Sequence, residues 1–283
     1  MYIVNTTYNV AVENLILEIE KIDEYKDIII DENEALAMID KNTLLIVVDT
    51  HKTSYTEIPK LFEKTNKVVV IDHHRKGTEF IENPVLMFHE VYASSASELV
   101  VEILQYAEKD LKLTALEAEA LYAGIMTDTK NFTFKTGVRT FEAAAYLRKI
   151  GVDIIRVKKW FQSDFKDYNI IADIVKSAEV INDNIAIAIN DVKNKDISVV
   201  CAKAADELLT ISTITASFVI GDTGEKILIS GRSIGDINVQ VILEKMGGGG
   251  HMTTAGTQIE GKTIEEVREE LIEKINEYFE EMG

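Results

Sequence analysis

Two short β-branched runs, "LLIVVD" (Leu44–Asp49) and "KVVVID" (Lys67–Asp72), constrain the fold more than anything else in this chain. Each is apolar on both faces, as a strand must be when helices cover both sides of a parallel sheet. The chain between them is long enough for a crossover. Both runs end in aspartate, and functional groups in such sheets gather outside the carboxyl ends of the strands. The two acids are therefore expected close together. One such aspartate reads equally well as the N-cap of a crossover helix. Two in succession, the second followed by His73 and His74, weight the reading toward a site.

Helices follow with start signals. Ser95 and Glu98 in "SSASELVVEIL" and Thr114 and Glu117 in "TALEAEALYAGI" match the capping-box pattern. "TFEAAAYLRKIG" predicts a third helix stopped by Gly151, and Val152 to about Ile181 reads as helical and connecting, with Trp160, Phe161 and Phe165 packed between lobes. The grammar then changes. "NIAIAIND" alternates like a half-buried strand, and "ITASFVIGD" and "KILISGRS" read as two strands joined by a glycine-containing turn. Of 15 glycines, 11 lie beyond residue 220 and none precedes Gly77, which marks a second kind of lobe. The last helix carries Val267, Leu271, Ile275 and Phe279 on one face, a core stripe with glutamates opposite. The expected fold class is α/β. A parallel doubly wound sheet lobe (1–150) and a helical connector (151–180) precede a smaller mixed α+β lobe (181–283), with the active site in the cleft between the lobes.

Composition narrows the function. No apolar run approaches the roughly 18 residues of a membrane span, and no signal-peptide pattern is present. One cysteine, Cys201, fits a reducing cytoplasm. A formal charge of -18 disfavours long DNA or RNA as a partner. A small phosphorylated ligand stays compatible, because a metal or a local cluster reverses the sign within one cleft.

"GIMTDTKNF" adds a third acid, Asp128, between hydroxyls. Neighbouring side chains diverge at a strand end, so His73 and His74 divide naturally into one imidazole for a metal and one for substrate. Two exposed loop histidines are the plain alternative. Carboxylate mixed with imidazole suits Mn²⁺ or another transition ion better than Mg²⁺. "MGGGGHMTTAG" (Met246–Gly256) reads either as a flexible turn, with Gly247 ending a helix, or as an anion cup. In the second case backbone N–H groups of Gly248, Gly249 and Gly250 turn inward beside His251. "SGRSIGDINV" places Arg232, whose planar fork matches a phosphate, near Ser233 and Asn238. His89 reads as a surface residue rather than a ligand, and His51, two positions after Asp49, reads by default as a loop residue with lining of the cleft as the alternative.

These strings, in this order, resemble the DHH phosphoesterase superfamily with its DHH-associated C-terminal domain: "VVDTH", "VIDHH", "GIMTDTKNF" and "GGGGHMTTAG". Finer detail in "DTHKTS", "YASSASELV" and "SGRSIGDINVQVILEKMGGGGH" looks most like the catalytic module of bacterial cyclic-di-AMP phosphodiesterases. The resemblance implies that Asp49 bridges two Mn²⁺ ions, that His73 and Asp128 bind one of them, that Asp72 supports the site and that His74 faces the phosphate. It implies that Arg232, the glycine run and His251 hold the nucleotide, and that cyclic-di-AMP is hydrolysed to pApA. A nuclease of short RNA or pApA is the nearest alternative; a nucleotide-binding module without turnover is another, and a pyrophosphatase a more distant one. The family's first strand leads into H-x-x-x-D-x-D, and no D-x-D occurs here. "MYIVNTTYNVAVENLILEIEK" is similar to the family's second strand and helix, so the chain is expected to start just after that motif. The expectations that follow are one Mn²⁺ or none, impaired turnover, and an exposed strand edge favouring a homodimer. The resemblance also implies a cytosolic setting, as part of a membrane-anchored protein, with no membrane contact within this chain.

Overall fold

The computed structural model describes residues 2–4, 10–107, 112–162, 164–190 and 197–282. The chain divides into two compact units, Met1–Gln162 and Ser163–Gly283.

The first unit runs β1 (Ile3–Val4), α1 (Val10–Ile19), β2 (Ile29–Ile30), α2 (Glu32–Met38), β3 (Leu45–Val48), β4 (Val68–Asp72), β5 (Leu86–His89), α3 (Ala96–Tyr106), α4 (Ala115–Asp128), α5 (Val138–Ile150) and α6 (Ile154–Trp160). Strands β3, β4 and β5 form a parallel sheet in that order, and β1 pairs with β2 in a separate parallel ribbon. Val48 lies beside Ile71 and Asp72 beside His89, so all three carboxyl ends reach one edge of the sheet. One face of β4 packs Val68 and Val70 against Val47 and Ile81; the other packs Ile71 against Ala93 and Leu99. Strand β3 departs from the expectation of two covered faces. It is the edge of its sheet, and Ile46 and Val48 stay about half exposed. Helices α3 to α6 have their own core around Tyr122, Ile125, Leu147 and Trp160. Trp160 is thus internal to the first unit, and Phe165, expected to be packed, is exposed.

The second unit runs α7 (Phe165–Lys176), β6 (Glu179–Ile181), β7 (Ile185–Asn190), α8 (Ile197–Leu208), β8 (Ala216–Asp222), β9 (Ile227–Ser233), α9 (Val239–Glu244), β10 (Gly249–His251), β11 (Thr254–Ile259) and α10 (Ile264–Met282). Its six-stranded sheet has the order β10-β11-β9-β8-β7-β6, antiparallel except where β7 meets β8. The alternation in "IAIAIN" is not apolar against polar but large against small. Ile185 and Ile187 fill the side under α9 and α10, whereas Ala186 and Ala188 admit α8 closely on the other. Strand β7 is accordingly buried on both faces rather than half-buried. The α10 stripe is Val267, Leu271, Ile275 and then Tyr278; Phe279 is 39% exposed, because a step of three keeps the face where a further step of four rotates off it. No helix among the described residues is long and apolar enough to cross a membrane.

Phe218 is fully buried between the sheet and α9, with Leu243 near it. Phe218→Ala is expected to destabilise the second unit by about 3–5 kcal/mol. Chemical denaturation of the full chain checks this, with the transition of the second unit moving and that of the first unit staying in place.

Candidate active site

The end of β3 is bent. Asp49 has φ +65, a left-handed conformation that aspartate tolerates better than most side chains, while its N–H donates to Ile71 O at 2.9 Å. Asp72 ends β4 fully buried. Neither carboxylate caps a helix, which disposes of the plain alternative for both: Asp49 meets His73 and Asp72 is held by histidines. His73 lies with Nδ1 3.3 Å from Ala93 O, an acceptor, so Nδ1 carries the proton and Nε2 is left for the site. That Nε2 is 3.3 Å from Asp49 Oδ1 and 3.5 Å from Asp128 Oδ2.

The loop that holds His73 is itself tied down. Ser95 caps α3 by accepting from Glu98 N, but the Glu98 carboxylate does not return to Ser95 as a full capping box requires. Buried, it accepts instead from Ser94 N, Ser94 Oγ and Thr140 Oγ1, linking the loop to α5. Asp128 is the last residue of α4, and the hydroxyls on either side hold that turn: Thr127 Oγ1 donates to Ala123 O and Thr129 Oγ1 to Ile125 O. Lys130, Asn131 and Phe132 then form a left-handed turn with φ of 46, 58 and 62. Thr129 Oγ1 accepts from Phe132 N, Asn131 N donates to Met126 O, and the Phe132 ring packs between Tyr122 and Phe141.

His51 and His89 are not the loop and surface residues expected. His51 is buried, with Nδ1 2.5 Å from Asp72 Oδ2, and His89 Nε2 donates to His74 O at 2.6 Å. His74 places Nδ1 2.8 Å from Asp72 Oδ1. The one legible hint was spacing: His51 follows Asp49 by two residues, and His89 ends the strand beside Asp72.

Electrostatics divide the carboxylates. Burial disfavours the Asp72 anion, but hydrogen bonds from His74 and His51 outweigh it and hold that carboxyl well below the usual range. The Asp72 hydrogen bond in turn raises His74 above an ordinary imidazole. Burial opposes the His73 cation, yet Asp49 and Asp128 together raise it too. Burial first, and then the Asp49 charge, push Asp128 up to about 6. Two carboxylates that repel each other across one imidazole nitrogen are a site short of positive charge. Donor separations of 3.3 and 3.5 Å are those of ligands sharing one small ion. Asp49, His73 and His74 bring ligand atoms within 4.8 Å of one another, and Asp128 adds a carboxylate oxygen 3.5 Å from His73 Nε2. Asp49 and His73, with Asp128 beside them, thus offer donors of the kind a divalent cation takes. His51, Asp72 and His89 also cluster, but their facing atoms are committed to hydrogen bonds.

In the second unit, strand register sets His251 beside Thr254 and Thr254 beside Arg232, so the three share one face across β10, β11 and β9. Arg232 Nη1 donates to Gly231 O, and its Nε is 3.4 Å from Asp206. Ser233 is buried near Met252 O, and Asn238 Oδ1 caps α9 by accepting from Gln240 N and Val241 N. The glycine run has structural causes that its sequence concealed. Gly247 needs φ +76 after α9, a Cβ on Gly248 would meet Gly256 O at 2.4 Å, and one on Gly250 would meet Thr254 O at 2.4 Å. Gly249 alone among the four, exposed and with nothing within 4 Å of an added Cβ at φ outside the left-handed region, has no packing reason to lack a side chain.

The architecture has solved counterparts. An exopolyphosphatase-related protein from Bacteroides fragilis matches with a TM-score of 0.76 at 18% identity, over 95% of this chain and 88% of that one. Residues 6–125 match the DHH family, N-terminal domain, and residues 167–281 match the DHHA1 domain. The chain belongs to the DHH family. The cyclic-di-AMP phosphodiesterase GdpP of Geobacillus thermodenitrificans is 48% identical over 252 residues, 89% of this chain and 38% of that protein. The bifunctional oligoribonuclease and PAP phosphatase NrnA of Mycoplasma genitalium is 30% identical over 248 residues, 83% of this chain and 75% of that protein. The chain thus spans about two fifths of the length of the GdpP proteins it matches.

An acid raised above its unfolded value of 3.8 binds its proton more tightly when folded. The stability Asp128 contributes in metal-free protein is complete below about pH 4 and lost as pH rises through about 6. Asp128→Asn should flatten that fall and stabilise metal-free protein at pH 8 by about 1–2 kcal/mol, a figure discounted because the side chain is 32% exposed to water. Urea titrations with chelator across this range check the sign. For the glycine run, Gly248→Ala and Gly250→Ala should each cost more than about 2 kcal/mol, and Gly249→Ala less than about 0.5. Thermal melts of the three variants read this directly.

Proposed function

We propose that this chain is a metal-dependent phosphodiesterase module whose substrate is cyclic-di-AMP and whose product is the linear dinucleotide pApA. The observation that carries the reading is the convergence of Asp49 Oδ1 and Asp128 Oδ2 on His73 Nε2, beside an Asp72–His74 pair. Asp49, His73 and Asp128 would hold the ion, and its mixed oxygen and nitrogen donors favour Mn²⁺. A divalent ion there supplies positive charge to a phosphoryl oxygen and lowers the pKa of water. His74, whose Nδ1–H is held by Asp72, would in its imidazolium form pass the Nε2 proton to the departing 3′ oxygen as the P–O3′ bond breaks, while the water whose oxygen bonds to phosphorus gives its proton to solvent. In the second unit, His251 and Arg232 with the open Gly249 are the proposed nucleotide-holding set, while Ser233 and Asn238 shape it from buried and capping positions. The names of the GdpP relatives support cyclic-di-AMP, and that of NrnA supports a short linear substrate as the rival.

Hydrolysis of cyclic-di-AMP, pApA and pyrophosphate should be compared side by side with Mn²⁺. Cyclic-di-AMP is expected to turn over fastest, at a low rate, because the described donors account for one ion where the mechanism implied by the resemblance uses two. Preference for pApA would favour the nuclease reading, preference for pyrophosphate the phosphatase reading, and binding without turnover a sensing role. In calorimetry, His73→Ala and Asp49→Ala should each weaken Mn²⁺ by at least about 100-fold. Unchanged Mn²⁺ affinity in both would remove the proposed centre.

A further inference from the structure

We propose that His51 is a positioning residue that acts through Asp72 to fix the orientation and tautomer of His74. The partners dictate the protons. A buried carboxylate only accepts, so Nδ1 of both His51, at 2.5 Å, and His74, at 2.8 Å, must carry hydrogen toward Asp72. His51 Nε2 faces Gly77 N–H at 3.4 Å, so that nitrogen accepts. His51 is thus held at both ring nitrogens, and its backbone carbonyl accepts from Ile81 N at 2.7 Å. It is 2% exposed and cannot touch a substrate in this position.

What it can do is aim the carboxylate. Asp72 offers Oδ2 to His51 and Oδ1 to both the backbone N–H and the Nδ1–H of His74. With Oδ2 pinned, rotation of the carboxylate is blocked and Oδ1 stays on His74. His89 closes the remaining polar group by donating to His74 O. Among the described residues, Nε2 is then the one polar atom of His74 without a hydrogen bond, which is the atom the proposed reaction uses. The Gly77 contact gives His51 a second hold on the loop that carries His74. Its part in turnover rests on the phosphodiesterase reading; its hold on His74 does not.

The test therefore has two arms. In ¹H–¹⁵N spectra of the metal-free protein, His51 and His74 should each show a slowly exchanging Nδ1–H, assigned by loss of one signal in His51→Asn and the other in His74→Asn. Asparagine places an N–H near the position of Nδ1, whereas glutamine places it near Nε2. The His74 signal should persist in His51→Asn and be lost to exchange in His51→Ala and His51→Gln. With Mn²⁺ saturating, kcat should fall at least about 10-fold in the alanine and glutamine variants, with KM within about 2-fold, and recover in the asparagine variant. A His74 signal that survives in His51→Ala would overturn the proposal, as would equal behaviour of the asparagine and glutamine variants. If the spectra behave as expected and no variant, nor the parent, hydrolyses a phosphodiester, the positioning role stands and the phosphodiesterase reading fails.

Discussion

Asp72 is a negative charge with no exposed surface, and a charge removed from water persists only where donors surround it. Its donors come from two places in the first unit, His51 after β3 and the backbone and ring of His74 just beyond β4, while His89 on β5 joins the network by donating to His74 O. The carboxyl ends of three parallel strands are thereby drawn into one network. Asp49 and His73 flank that network, so the geometry of the proposed cation site is inherited from the need to satisfy a buried anion nearby. Removing either donor would leave Asp72 partly unpaired, a heavier penalty than losing a surface hydrogen bond.

The imidazoles divide their labour by nitrogen. His73 gives Nδ1 to the Ala93 carbonyl and keeps Nε2 for the two carboxylates; His74 gives Nδ1 to Asp72. In both cases the scaffold takes one nitrogen and so decides which the site receives. The buried Glu98 network, two steps back, holds the Ala93 loop and hence the tautomer of His73.

Much of this was legible in residue order, and the misses have a common cause. Adjacent acids and histidines at strand ends pointed to the cluster because strand polarity alone brings carboxyl ends together. His51 and His89 were set down as loop and surface residues because spacing was their only signal: their partners are 21 and 15 residues away, and burial is not visible in a loop string. The alanines of β7 misread as half-burial because alternation records size as well as polarity. The glycine run looked functionless as structure because the contacts that exclude a Cβ come from Gly256 and Thr254 across the hairpin.

The turn after Asp128 has a consequence for how this protein could be changed. Three successive non-glycine residues in a left-handed conformation are each uphill by roughly 1–2 kcal/mol, and a hydroxyl, an amide bond to Met126 and two aromatic rings hold them there. A laboratory selection for heat resistance alone would be drawn to glycine at positions 130 and 131, where it relieves that strain without removing the packed Phe132 ring. The same replacements would slacken the segment that steadies the end of α4. Thermal hardening and the placement of the Asp128 carboxylate are thus set against each other within two residues, and a library screened on melting temperature would drift away from the present end of α4.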